Sequence, residues 1–257
     1  MARRLVRRVR PIAPDEHLST EEHLTELRDR MFVCAAVVAV AFGAMYLARA
    51  RLLRLLMAPL PHAHHQLSTF SPTEPFTTTM GAVFWASIVM SLPVLIYQVY
   101  AFAAPALSGP SKRRMIVTAG VLSALFVGGV AFTYVVVLPT ALSFLLGFGG
   151  SSFDVQLRAN EYLSFVTTLL IAGGIVFELP VVMLSLSRLG IADTRTFTRH
   201  RRFAVILMTV VAAILPGGDA VSMLMLLGAE VVLYEVGIMA CRAFGAPTLR
   251  AQLGELA

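Results

Sequence analysis

Four carboxylates stand in or beside apolar runs where a water-soluble chain would not hold them. Glu178 falls inside one run, Glu230 and Glu235 inside another, and Glu26 shortly before a third. An ionisable group at the centre of a membrane helix costs about 2.5–3.5 kcal/mol on insertion scales, so each intramembrane carboxylate reads first as a functional site. Glu178 is followed by Pro180 and has no basic residue in its own run. Its partner therefore comes from another helix or another protein, or the group stays protonated and donates a hydrogen bond. Glu235 lies near the end of its run and near Arg242, so it can snorkel out of the apolar region. Glu26 belongs to the series Glu22, Glu26, Arg30 at i+4 spacing. Two readings are open for it: a pair with Arg30 along one helix face, or a carboxylate at the mouth of a helix bundle that receives a basic ligand.

Other chemistry is thin. His62, His64 and His65 sit in a proline-flanked loop and read as a solvated or weakly metal-binding tract, with no HExxH motif and no Walker A sequence anywhere in the chain. Gly150-Ser151-Ser152 reads as a loop, and no histidine lies in an apolar run to serve as its base. Cys34 and Cys241 have no CxxC spacing and read as small core hydrophobes. The expectation is a non-enzyme with no catalytic centre, no metal and no cofactor.

The elements that position these carboxylates follow from composition. The 257 residues are 57% hydrophobic and only 14% charged, with a mean hydropathy of +0.77. Soluble domains carry about 25% charged residues, so the chain reads as an all-α integral membrane protein. Six runs qualify or nearly qualify as spans of about 20 residues: Met31 to Ala48, Thr78 to Ala101, Met115 to Leu138, Tyr162 to Leu186, Phe203 to Leu215, and Val221 to Cys241. The fifth is short and must thin the bilayer, tilt little or shelter against neighbours. The first begins only at Met31 and lacks a small-residue cleavage site, so it reads as a retained span. Arg3-Arg4 and Arg7-Arg8 lie too far from it to form an export signal.

Six spans put both termini on one side. Seventeen of the 21 basic residues then share that side, while Arg49, Arg51, Arg54 and Arg158 lie on the other. The positive-inside rule places the termini in the cytoplasm and explains the net charge of +6. Nucleic acid is excluded as a partner, because the excess is not gathered on a soluble face interleaved with aromatics. The chain reads as one membrane domain, 1–257, with a basic cytoplasmic tail over 1–18 and a second tail over 243–257. Ser19-Thr20-Glu21-Glu22 is a capping box that starts a helix before the first span, with Leu24, Leu27 and Met31 as its apolar stripe. Arg49 to Met57 reads as an interfacial helix ended by Pro59 and Pro61, and Pro139 to Glu161 as a partly apolar stretch broken at its glycines. Together they predict a structured outer cap. Pro216-Gly217-Gly218-Asp219 reads as a tight outer turn.

With these residues in place, the chain resembles the TatC family, the C subunits of the twin-arginine protein translocase. The resemblance rests on His23-Leu24-Thr25-Glu26-Leu27-Arg28-Asp29-Arg30, Ala58-Pro59-Leu60 and Ser71-Pro72-Thr73-Glu74-Pro75-Phe76. It continues through Tyr97-Gln98-Val99-Tyr100-Ala101-Phe102 to Ala104-Pro105-Ala106-Leu107, then Phe177-Glu178-Leu179-Pro180 and Tyr234-Glu235-Val236-Gly237. It implies a glove-like, concave six-helix receptor in the cell (inner) membrane. Such a receptor binds the twin-arginine signal peptides of folded proteins and exports them with TatA-like and TatB-like single-span subunits. The complex would be a hetero-oligomer of several copies in the lipid bilayer, driven by the proton-motive force. By the same resemblance Glu26 meets the signal arginines, where a guanidinium fork can pair bidentately. Arg28 is a neighbouring family arginine, Pro59 and Phe102 match a loop and a span-end position, Glu178 matches a polar site in the concave face, and Asp219 matches the outer-turn acid.

The departures from the family pattern are local. Ser111 stands where a second signal-binding glutamate is usual, and it supplies one hydrogen bond but no counter-charge. Gly217-Gly218 replaces a proline pair, Met223 replaces the glutamine that would meet the single-span partners, Ala229 replaces a common proline, and Glu230 is extra. The alternative function is a proton-coupled small-solute transporter using Glu178, which inverted repeats would favour; no convincing repeat is seen.

Overall fold

The structure is a computed structural model and describes residues 20–61, 67–103, 112–148, 156–188, 190–214 and 220–244. Among these the regular structure is helical, with short turns between the helices and one isolated bridge between Ser68 and Arg158. Among the described residues five helical stretches are long and apolar enough to cross a membrane. A sixth, α9 (Arg201–Ile214), has 14 residues, about 21 Å at 1.5 Å per residue, as short as the sequence anticipated for the fifth span.

Helix α1 (Thr20–Leu47) runs unbroken from the segment before the first span through the span itself, and packs on α3 (Glu74–Ala103). Leu24, Leu27 and Met31 stay exposed, so the predicted stripe faces outward from the bundle. The capping serine, Ser19, lies outside the described residues. Between the two helices, α2 (Arg49–Met57) turns Leu52, Leu53, Leu56 and Met57 into the main core and leaves Arg49, Arg51 and Arg54 exposed. Its last carbonyls have no partner within the helix. Tyr134 and Tyr162 supply one each, donating their hydroxyls to Leu55 O at 2.8 Å and Leu56 O at 2.9 Å.

The third span differs from its expected end. Helix α4 (Lys112–Phe132) does not stop at Leu138 but passes through a π-helical turn (Thr133–Val137) into α5 (Leu138–Phe148). Pro139 occupies the second position of α5, where the wider π-helical register has already displaced the ordinary hydrogen-bond ladder. Thus the first part of the stretch expected in the structured outer cap continues the helix, and Leu138, Ala141 and Leu142 are buried; residues 149–155 lie outside the described set.

The fourth span is two helices, α6 (Ala159–Phe177) and α7 (Leu179–Arg188), divided at Glu178. Pro180 has no N–H to offer the preceding turn, which breaks the ladder there. Helices α4 and α6 meet through glycine: a methyl group on Gly173 would overlap Thr133 Oγ1, and one on Gly129 would overlap the Gly173 carbonyl. The chain then forms α8 (Thr194–Arg199), capped by Asp193, then α9 (Arg201–Ile214) and α10 (Ala220–Phe244). α10 packs on α7, with Gly237 against Met183 and Pro180.

At the end of the bundle that carries α2, the segment before α3 is tied to the segment before α6. Ser68 N donates to Leu157 O at 2.8 Å and Ala159 N to Ser68 O at 2.9 Å. Glu74, buried at 4% exposure, accepts from Arg158 Nε at 2.8 Å, Arg158 Nη2 at 3.2 Å and Phe70 N at 3.0 Å. The hydrogen bonds to Glu74, and then its charge, raise the guanidinium pKa of Arg158 still further. Neither residue of this pair carried an expectation of its own.

Candidate functional site

The opposite end of the α1 and α3 pair holds Glu26. Arg30 donates Nε to Glu26 Oε1 at 3.0 Å, and its Nη2 makes a short hydrogen bond to the same oxygen. The i+4 spacing therefore produces the pair that one sequence reading anticipated. The pair is not a surface one: each side chain is 17% exposed. Arg30 also reaches the last turns of α3, donating Nη1 to Gln98 Oε1 at 2.9 Å and Nη2 to Ala101 O at 3.4 Å. The guanidinium thus fastens the pre-span part of α1 to the end of α3, next to half-buried Phe102. Glu26 Oε2 is buried and has no hydrogen-bond partner.

That geometry revises the bidentate expectation. Glu26 Oε1 already accepts two N–H groups, so a fork spanning both carboxylate oxygens is not open while Arg30 is in place. Gln98 is the contributor that carried no expectation beyond its place in the resemblance motif. Its signal was a lone amide in an apolar run, the kind of side chain that hydrogen-bonds across membrane helices. Arg28 points away from this cluster and pairs with its neighbour Asp29 at 3.0 Å, both side chains 65% exposed. Ser111 lies outside the described residues.

The intramembrane acids are separate from Glu26. Glu178 sits at the α6/α7 break, and both its carboxylate oxygens are buried without a hydrogen-bond partner. Glu230, on the buried face of α10, is 2% exposed and its Oε2 is likewise unpartnered. Glu235 does not turn to Arg242. Arg201 at the start of α9 donates Nη2 to Glu235 Oε2 at 2.8 Å, a cross-helix pair that spacing along α10 does not reveal. Met223 packs against the main core alongside Leu226. Pro59 follows α2, where Leu60 N donates to Met57 O at 3.0 Å. Asp219 and the Gly217-Gly218 pair lie outside the described residues, as do the three loop histidines. Among the described residues no group of three or more His, Cys, Asp or Glu is placed to hold a metal ion.

Residues 22–228 match the family model described as Sec-independent protein translocase protein (TatC). The chain belongs to the TatC family. It is 32% identical over 222 residues to the TatC protein of Campylobacter jejuni, covering 84% of this chain and 91% of that one. Against the TatC of Escherichia coli K12 it is 34% identical over 225 residues, with 86% and 87% covered. Two solved structures are similar throughout. The crystal structure of the twin-arginine translocase receptor TatC in DDM superposes with a TM-score of 0.77 at 30% identity, covering 86% of this chain and 99% of that one. A second crystal structure of that receptor gives 0.75 with the same coverage.

Membership makes this TatC chain a multi-pass cell-membrane component of the Sec-independent protein translocase. The family is one of protein transport and not of enzymes. The small-solute transporter alternative has no support in it.

Proposed function

We propose that this TatC chain is the receptor of its translocase, binding the twin-arginine signal peptides of folded proteins at a cytoplasmic face formed by α1 and the end of α3. The observation that carries this reading is Glu26: a carboxylate tied through Arg30 to the end of α3 at Ala101, the residue before Phe102, with one oxygen unpartnered. Arg28, which holds Asp29, is a further candidate signal-binding residue, and by the resemblance so is Ser111. The cytoplasmic assignment of both termini rests on the charge asymmetry, 17 of 21 basic residues on one side. Likeness to the TatC crystal structures supports a concave, glove-like bundle, with α2 and the Glu74–Arg158 tie as its outer cap. TatA-like and TatB-like single-span subunits are the proposed partners, meeting Glu178 and the Met223 region, with Pro59 and Asp219 in the outer loops. The proton-motive force is the proposed driving force.

The test is site-specific crosslinking from positions 26 and 102 to a twin-arginine peptide, with a twin-lysine peptide as control. Preferential labelling by the twin-arginine peptide is expected; equal labelling of both, or of neither, refutes the receptor reading. Export in a strain lacking its own C subunit, compared between this chain and Ser111→Glu, then locates any weakness in signal recognition.

A further inference from the structure

The internal partner of Glu26 has the same chemistry as the proposed ligand, which raises the question of where a second guanidinium goes. Two outcomes are physically distinct: the incoming arginine displaces Arg30, or it joins it. Displacement is disfavoured by what else Arg30 holds. Its Nη1 is bound to Gln98 Oε1 at 2.9 Å and its Nη2 reaches Ala101 O at 3.4 Å, both on α3, so the guanidinium is anchored independently of Glu26. Leaving Glu26 would also strip hydrogen bonds from a side chain that is only 17% exposed. Joining requires an acceptor that Arg30 does not use. Glu26 Oε2 is that acceptor: Nε and Nη2 of Arg30 both converge on Oε1, while Oε2 is buried and unpartnered.

From this arrangement we infer that Arg30 and Gln98 are positioning residues for signal recognition, which hold the Glu26 carboxylate so that Oε2 alone receives a ligand guanidinium. The inference rests on the receptor reading of Glu26 given above. Arg30 itself displays the mode of binding it leaves open: Nε and Nη2 of one guanidinium gripping a single carboxylate oxygen. A guanidinium can repeat that two-donor grip on Oε2, whereas an ammonium lacks the planar pair of parallel donors. Arginine preference therefore depends on the orientation of Glu26 and, through it, on Arg30 and Gln98. Arg30 also neutralises the carboxylate, so the site offers the ligand hydrogen-bond geometry more than net attraction.

The experiment measures the affinity of labelled twin-arginine and twin-lysine peptides for the full chain in lipid nanodiscs. The proteins compared are the unaltered chain, Glu26→Gln, Arg30→Gln and Gln98→Leu, the last touching neither charge. Arg30→Gln is expected to weaken twin-arginine binding by about tenfold, in the range of contact coupling energies, and twin-lysine binding by much less. Gln98→Leu should move the ratio in the same direction by a smaller factor, and it serves as the arbiter if Arg30→Gln does not yield a monodisperse protein. An equal loss for both peptides would mean a merely structural role and overturns the inference. Unchanged or tighter twin-arginine binding in Arg30→Gln would make Arg30 a competitor, and overturns it as well. If Glu26→Gln leaves twin-arginine binding intact, the receptor reading itself fails; if Glu26→Gln weakens binding and the other two do not, only the positioning role fails.

Discussion

Glu74 and Arg158, 84 residues apart in the chain, are joined by two hydrogen bonds of 2.8 and 3.2 Å from one guanidinium to both oxygens of one carboxylate. The acid is 4% exposed and the arginine 38%. Glu74 also accepts from the backbone N–H of Phe70, and the Arg158 guanidinium lies over the Phe70 ring at 5.6 Å. The pair thereby joins the start of α3 to the start of α6 and fixes the short bridge between Ser68 and Arg158.

Removing one partner of such a pair leaves the other buried charge without its counter-ion, which is costlier than removing both. Arg158→Ala is therefore expected to lower the Tm of the detergent-solubilised protein clearly. Glu161→Ala should leave it unchanged, although Glu161 lies 3.7 Å from the same arginine, because that carboxylate is 74% exposed. Arg158→Lys keeps the charge but not the fork and should fall between them. Equal Tm values for Arg158→Ala and Glu161→Ala would show the tie to be dispensable.

A second prediction concerns the close approach of α4 and α6. Gly173→Ala places a methyl group into Thr133 Oγ1, and overpacking of this kind costs about 1–3 kcal/mol. Gly228 on α10 has open space around it, so Gly228→Ala should instead be neutral or gain up to about 1 kcal/mol from the lower entropy of alanine. Thr133 is fully buried and its hydroxyl has no partner, so Thr133→Val on its own should not destabilise the protein. Thermal unfolding of the three variants side by side checks the order.

These two contacts mark where reading along the chain stopped being sufficient. The helix Arg49–Met57 was legible to the residue, since its leucines and arginines alternate at helical spacing and Pro59 ends it. The Glu26–Arg30 pair was equally legible, because i+4 neighbours on a helix must meet. Gln98, by contrast, joins that pair across 68 residues, and no local pattern records which helices lie side by side. The same holds for Arg201 and Glu235, which lie on different helices 34 residues apart. The end of the third span, expected at Leu138, was misplaced for a different reason: Pro139 forbids one hydrogen bond, yet the helix continues past it through a π-helical turn.

The cap of α8 gives a prediction in pH. Asp193 Oδ1 accepts from the Thr196 hydroxyl and the Thr196 N–H, each at 2.6 Å, and these hydrogen bonds lower the carboxyl pKa below its ordinary 3.8. A carboxyl with a depressed folded pKa contributes stability that is present above the unfolded value and lost as pH falls through the folded one. Asp193→Ala should therefore destabilise α8 by about 1 kcal/mol at neutral pH, while Asp193→Asn, which keeps a capping oxygen, loses much less. The advantage of aspartate over asparagine should shrink as pH drops below 3.8. Amide exchange at Thr196 in the two variants against pH reads it directly.

Glu230 tests whether a buried acid on α10 is functional or tolerated. It is 2% exposed, one of its oxygens has no hydrogen-bond partner, and the family resemblance assigns it no counterpart. Leaving a buried acceptor unsatisfied costs about 1–3 kcal/mol, and replacing it with an apolar side chain of similar shape removes that cost. Glu230→Met should consequently keep or raise the Tm, and export in the strain lacking its own C subunit should be retained. Glu178→Met shares the missing partners but occupies the α6/α7 break, where the resemblance places a working polar site, so there the Tm should hold while export falls. The two substitutions separate the acids by function at similar chemistry. If Glu230→Met instead keeps the Tm and abolishes export, Glu230 works in translocation as the proposed Glu178 does, and the α10 acid is a site rather than a tolerated residue.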